Sequence, residues 1–294
     1  MIKILITGYT GFVGRHLIKN FNNNYKIFLF GRKKIKDKKK NIFFYRVNLF
    51  KKERVSLLIK KIKPDYLIHL GWETQPIKFW NKDSNLNWLH ASKHLCYEFC
   101  RNGGKKFIFM GTGAECNLNS KIIKEQSDQL EIYNLYNLTK TELYFNVKNI
   151  ANIFKTKFVW PRIFWCYGVN ERKNRLTTDI VDSVKKNKNL VLKNPNMLIN
   201  IINTKDICRV LIKILNSKIT GIINIATKNN ISVINYAKLI LKYFPKYSGK
   251  IILKKNNTFY KNDYKIITNK LKKMKFLEKY NLENGIKEIL IKKN

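Results

Sequence analysis

Acidic residues are scarce in this chain of 294: 19 Asp and Glu stand against 59 Lys and Arg, a formal net charge of +40 at pH 7. The excess is mostly lysine, spread along the whole chain among many Asn, Ile, Phe and Tyr residues. All of these have AT-rich codons, so genome base composition accounts for the bias, and a nucleic-acid-binding surface is the functional alternative. The densest run, Lys33 to Lys40, reads as a solvated loop. Close cysteine pairs are missing too. Cys96, Cys100, Cys116, Cys166 and Cys208 are odd in number and contain no C-x-x-C, which excludes a disulfide framework or a zinc signature. Cys96 and Cys100 share a helix face and are expected in the core. No apolar run approaches the ~20 residues that span a bilayer, and the N-terminus enters a strand directly, so the expected location is the cytoplasm. Neither a fixed-period repeat nor a low-complexity linker interrupts the chain, so any second lobe is interwoven with the first.

What is present begins with Thr7-Gly8-Tyr9-Thr10-Gly11-Phe12-Val13-Gly14, after the apolar run Ile2 to Ile6 and before an amphipathic helix. Gly8 suits the positive φ of a tight turn, Gly11 lets backbone approach a pyrophosphate, and Gly14 lets the helix pack closely on the strand. The helix N-terminus adds free N–H groups and the positive end of its dipole. Together they read as a phosphate cradle.

Apolar segments then alternate with helical ones. Strands are expected at Lys26–Phe30, Ile42–Val47, Tyr66–Gly71, Lys106–Met110, Phe158–Trp160 and Gly221–Ala226, the last rejoining the main sheet. Helices are expected at about 51–62, from about Trp88 to Arg101, around Tyr136, and near 177–186, 205–216, 232–243 and 282–291. This order predicts an α/β fold with a doubly wound parallel sheet: a dinucleotide-binding unit over 1–168 and a smaller substrate lobe over 169–294. His69, inside an apolar strand, reads as a hydrogen-bonded core histidine. At the end of the second strand Gly31 stands where an NAD enzyme has an acid, and Arg32 follows. An Arg there accommodates a ribose 2′-phosphate, so NADPH is expected over NADH, with Lys33 in support and NAD as the alternative.

Tyr136 and Lys140 are i,i+4 neighbours on one helix face. A tyrosine near pKa 10 needs help to exchange protons at neutral pH, and a neighbouring ammonium supplies it. Thr112, at the carboxyl end of the fifth strand, can orient the reacting oxygen. In the reducing direction a nicotinamide cofactor delivers hydride to a carbonyl carbon while Tyr136 protonates the oxygen.

The glycine turn, Thr112, Tyr136-x-x-x-Lys140, His69-Leu70-Gly71-Trp72-Glu73-Thr74, Gly111-Thr112-Gly113-Ala114-Glu115 and Arg162-Ile163-Phe164 leading to Tyr167-Gly168 together resemble the extended short-chain dehydrogenase/reductases. Within them the resemblance is to the NAD-dependent epimerase/dehydratase family, and most to its nucleotide-sugar 4-ketoreductases of deoxysugar synthesis. It implies a Rossmann-like fold, catalysis by Thr112, Tyr136 and Lys140, and a homodimer through the helices near 82–101 and 134–154. It implies cofactor contacts at Gly8, Thr10, Gly11, Phe12, Val13, Gly14, Arg32, Asn48, Leu49, Leu70, Gly71, Trp72, Tyr136 and Lys140. It implies a nucleotide-sugar substrate near Glu73, Thr74, Glu115, Trp165, Arg172 and Arg175, with Lys205 a further phosphate candidate, and no metal. Departures choose among reactions. The Asp-Glu pair of 4,6-dehydratases is replaced by Gly113 and Ala114, the Cys and His of epimerase-reductases by Ala114 and Asn170, and the Asn of UDP-galactose-type epimerases by Trp165. Simple ketone reduction is the leading expectation, and a redox-neutral 4-epimerase with tightly bound NAD the runner-up.

Overall fold

The computed structural model describes residues 1–35, 39–75, 78–126, 130–254 and 264–292. Residues 36–38 of the lysine run lie outside it. Seven parallel strands form the central sheet: β1 (Ile2–Thr7), β2 (Tyr25–Gly31), β3 (Ile42–Arg46), β4 (Tyr66–His69), β5 (Lys106–Phe109), β6 (Lys157–Ile163) and β7 (Gly221–Ile225). Their spatial order is β7-β6-β5-β4-β1-β2-β3, so the winding reverses between β1 and β4. Ligands bind such sheets at that crevice, beyond the carboxyl ends of the strands.

The inner strands are buried on both faces because helices cover both. α1 (Phe12–Lys19) packs with α6 (Thr204–Leu215) on one side, where Ile4, Ile6, Leu17, Ile207 and Leu211 share a core. The opposite side carries α2 (Lys52–Ile62), α3 (Ser84–Arg101) and α4 (Leu135–Ile153), whose Leu58, Leu95 and Val147 meet Leu5, Leu67 and Phe107. β7 lies beside β6 through residues Gly221 to Ile225, tying the later chain into the first unit. A separate core joins α5 (Leu176–Lys185), α7 (Val233–Leu241) and α9 (Leu282–Lys292) around Tyr167, Tyr236 and Ile286.

The short two-stranded pairs of this region, such as Leu190–Lys193 with Ile251–Lys254, were not expected from the sequence. Runs of two to four residues show too few alternations to reveal a period. His69 is buried, with Nδ1 2.6 Å from the Thr7 hydroxyl and Nε2 2.8 Å from that of Ser92. Burial pushes its pKa down to about 3, so it is neutral. Cys96 and Cys100 are buried in the core under α3. Among the described residues, no helix is long and apolar enough to cross a membrane, and no His, Cys, Asp and Glu group is placed to hold a metal.

Candidate active site

A cleft of about 560 Å³ runs over the carboxyl ends of β1, β2, β4 and β5. Its floor is the glycine turn. Gly8 has φ +69°, and a Cβ there would stand 2.4 Å from the Gly71 nitrogen and the Leu70 carbonyl carbon. A Cβ on Gly14 would stand 2.4 Å from the Gly8 carbonyl oxygen, so the helix can start this close to the turn only without a side chain. Gly11 is the N-cap of α1 and offers no side-chain cap, which leaves the first N–H groups for a ligand. These features fit the pyrophosphate of a dinucleotide. Arg32, Asn48 and Leu49 line the cleft beyond β2 and β3, and Leu70, Gly71 and Trp72 line it beyond β4.

At the other end Thr112 caps the short turn Gly113–Glu115, its hydroxyl oxygen accepting from the Ala114 N–H at 3.2 Å. Tyr136 sits in the first turn of α4 and lines the same cleft as Thr112. The helix is started by Asn134, whose side chain accepts from the Asn137 N–H, and by the loop before α3: the Tyr136 N–H donates to the Trp80 carbonyl at 2.8 Å. Phe79, Trp80 and Trp72 stand edge-on around the Tyr136 ring, with centroids at 4.9, 5.6 and 6.3 Å. Asn85 organises this loop, accepting from the Trp72 indole at 2.8 Å and donating to the Phe79 and Lys82 carbonyls. Burial pushes the Tyr136 hydroxyl up to about 12, opposed by the neighbouring Thr112 hydroxyl and by Arg175.

Lys140 is buried one turn on, its ammonium donating to the Met110 carbonyl at 2.9 Å and lying 3.9 Å above the Trp72 ring. Burial pushes it down to about 7, and the Glu115 carboxylate pulls it back up. The Met110 carbonyl and the Trp72 indole hold the Lys140 ammonium beside the cleft that Tyr136 lines. Arg175 reaches in from the start of α5, donates to the Thr74 carbonyl at 3.1 Å, and lies over Phe79.

Glu73, Thr74, Trp165 and Arg172 also line the cleft, and the Glu73 carboxylate accepts from Lys82 at 3.1 Å and Ser84 at 3.2 Å. Glu115 does not line it, and the expectation that it meets a sugar hydroxyl is corrected. Its carboxylate is buried behind the Thr112 turn, accepting from Arg162 Nε at 2.6 Å and the Trp160 indole at 2.8 Å. A fully buried carboxylate needs such a partner, and Arg162 on β6 is the cation within reach. Lys205 is likewise turned aside, paired with Glu288 and stacked on Tyr280. Tyr9, Trp88, Phe164, Cys166, Glu171 and Thr177 line the cleft without having been singled out. For Tyr9 a signal existed, a large aromatic between two turn glycines. The others come from α3, from the chain just after β6 and from the approach to and start of α5, segments that only tertiary packing brings to the cleft.

The NAD dependent epimerase/dehydratase family matches residues 4–226 of this chain. A dTDP-D-glucose 4,6-dehydratase of Dictyostelium discoideum is 27% identical over 275 residues, covering 81% of this chain, which spans only 61% of that protein's length. Among solved structures, UDP-glucose 4-epimerase of Thermotoga maritima, determined with UDP-glucose, superposes with a TM-score of 0.84 at 18% identity, over 99% of each chain. The dTDP-glucose 4,6-dehydratase of Bacillus anthracis, determined with NAD, gives 0.85 at 18% identity, over 100% of this chain and 97% of that one. These two likenesses speak to the fold, and the family match spans both the glycine turn and the Tyr136 helix. This chain belongs to the NAD dependent epimerase/dehydratase family.

Proposed function

We propose that the protein reduces the 4-keto group of a nucleotide sugar with NADPH, Tyr136 giving its proton to the oxygen. The observation that carries this reading is the Thr112–Tyr136 pair placed in one cleft with the glycine cradle. Gly8, Gly11 and Gly14 would hold a reduced nicotinamide dinucleotide, which would supply the hydride. Tyr136, held near 12 by burial, stays protonated through the neutral range and so remains a donor. The Thr112 oxygen already accepts from the Ala114 N–H, which leaves its own O–H to orient the oxygen being reduced. Trp72, Phe79 and Trp80 exclude water from the proton path. Glu73, Thr74, Trp165, Arg172 and Arg175 bound the sugar-nucleotide end, the two arginines supplying charge for a diphosphate.

Dehydration is disfavoured by packing: a Cβ on Gly113 would stand 2.3 Å from the Phe164 ring, so an acid there has no room. A second reading, a redox-neutral 4-epimerase with tightly held NAD, is favoured by the likeness to the Thermotoga maritima epimerase. Both use Tyr136. Incubation with NADPH and a panel of 4-keto nucleotide sugars should consume NADPH with one of them. Tyr136→Phe should lower that turnover by about 10² or more while cofactor still binds, and unchanged turnover rejects the assignment. Stoichiometric NAD released on denaturing the purified protein would favour the epimerase. We also infer a homodimer through α3 and α4, which pack side by side and expose Leu86, Tyr97, Leu138 and Phe145.

A further inference from the structure

The glycine turn carries one aromatic ring that the chemistry above does not use. Tyr9 stands between Gly8 and Gly11, yet it is only 1% exposed. Its ring crosses the end of β2 and packs edge-on against Phe44 on β3, with centroids 6.3 Å apart at 77°. There it fills the room of a side chain at position 31: a Cβ on Gly31 would stand 2.7 Å from Tyr9 Cε1 and 2.9 Å from the hydroxyl oxygen. That hydroxyl donates to the Lys33 carbonyl. Burial pushes its pKa up to about 12, so the bond persists at neutral pH. The Gly31 carbonyl in turn accepts from the Val47 N–H at 2.9 Å, so the strand end is held from two sides.

Position 31 follows Gly11 by about 20 residues, the spacing at which dinucleotide-binding folds place the acid that takes a ribose 2′-hydroxyl. Tyr9, Gly31 and Arg32 all line the cleft. We infer that Tyr9 determines which dinucleotide the cleft accepts: its ring bars an acidic side chain from position 31, and its bond to the Lys33 carbonyl holds the strand end so that Arg32 meets the ribose. An anionic 2′-phosphate gains from that arrangement, and a bare 2′-hydroxyl loses its usual acceptor. The direction of the selectivity rests on the NADPH reading, whereas the steric coupling of positions 9 and 31 does not.

The test is titration of the full-length protein with NADP⁺ and with NAD⁺, in the wild type, Tyr9→Phe, Gly31→Asp and the double variant Tyr9→Ala/Gly31→Asp, with thermal melting to confirm folding. Tyr9→Phe keeps the ring and loses the tether, and should reduce the preference for NADP⁺ over NAD⁺ by about fivefold. Gly31→Asp alone should weaken both cofactors, because carboxylate and ring contend for one space. The double variant should bind NAD⁺ about tenfold more tightly than Gly31→Asp does. If the double variant does not fold, Gly31→Ala decides, since its one methyl must displace the ring and should weaken NADP⁺. The inference is overturned if Gly31→Asp alone binds NAD⁺ as tightly as the double variant, if Tyr9→Phe leaves the preference unchanged, or if Gly31→Ala binds NADP⁺ like the wild type. A wild type preferring NAD⁺ removes the NADPH reading instead, and the Gly31 variants still report whether the two positions are coupled.

Discussion

At the scale of single residues, two positions turn local physics into measurable behaviour. Gly8 has φ +69° and faces backbone, so an added methyl 2.4 Å from Gly71 and Leu70 has no flexible neighbour to displace. Gly8→Ala should cost more than about 2 kcal/mol, read as a lower urea midpoint, and should weaken dinucleotide binding. Lys140 is the second position. Burial lowers its pKa to about 7, so its ammonium is charged below that pH and is lost as pH rises through it. If the charged form aligns the reacting groups, turnover in the reducing direction should fall as pH rises through about 7, and Lys140→Met should flatten that limb of the profile. A wild-type profile level across the same range would show that charge on Lys140 is not used. The meeting of Thr112, Tyr136 and Lys140 at one cleft could be read from the chain because their types and spacing suggest a shared chemistry. The destination of Glu115 could not, since residue type does not say which way a side chain turns, and only Arg162 beneath the turn decides it.

Elements were legible where they are long and periodic. The expected strand at Phe158–Trp160 extends as β6 over Lys157–Ile163, Pro161 included. Proline in a central strand argues against the strand, yet here the Pro161 carbonyl accepts from the Gly111 N–H at 2.8 Å and the ladder continues. Residues 78–83, before α3, show no such period, and Asn85 ties them down. Removing that side chain leaves the Trp72 indole and the Phe79 carbonyl without this partner, while the Lys82 carbonyl keeps the Asn85 N–H. Asn85→Ala should therefore loosen the loop by about 2 kcal/mol, speed amide exchange over residues 78–83, and lower turnover more than the melting temperature. Unchanged exchange there would show that Trp80 and Tyr136 hold the loop without Asn85.

For the whole molecule, the surplus of cations has a structural consequence. With few carboxylates available, buried or half-buried lysines cap backbone carbonyls instead: Lys106 takes those of Ile214 and Ser217 at 2.5 and 2.7 Å, and Lys270 those of Thr220 and Ile222 at 2.7 and 2.6 Å. For Lys106, whose ammonium sits at the C-terminal end of α6, this pairs positive charge with the negative end of the helix dipole. The inferred dimer belongs to the same scale. Phe145 is 43% exposed on α4, so Phe145→Glu should change the stability of one copy by less than about 1 kcal/mol while converting a sedimenting dimer to monomer. A wild type that sediments as a monomer would remove this interface. By itself the sequence determined the alternation of strands and helices, the glycine cradle, and the tyrosine and lysine on one helical turn, because these depend on period, spacing and the absence of a Cβ. Only the tertiary structure decided that Glu115 turns to Arg162, that Arg175 donates to the Thr74 carbonyl beside the cleft, and that Tyr9 fills the space at Gly31. Each of these is a contact between segments far apart in the chain, set by packing and burial, which residue types along a single strand or helix do not encode.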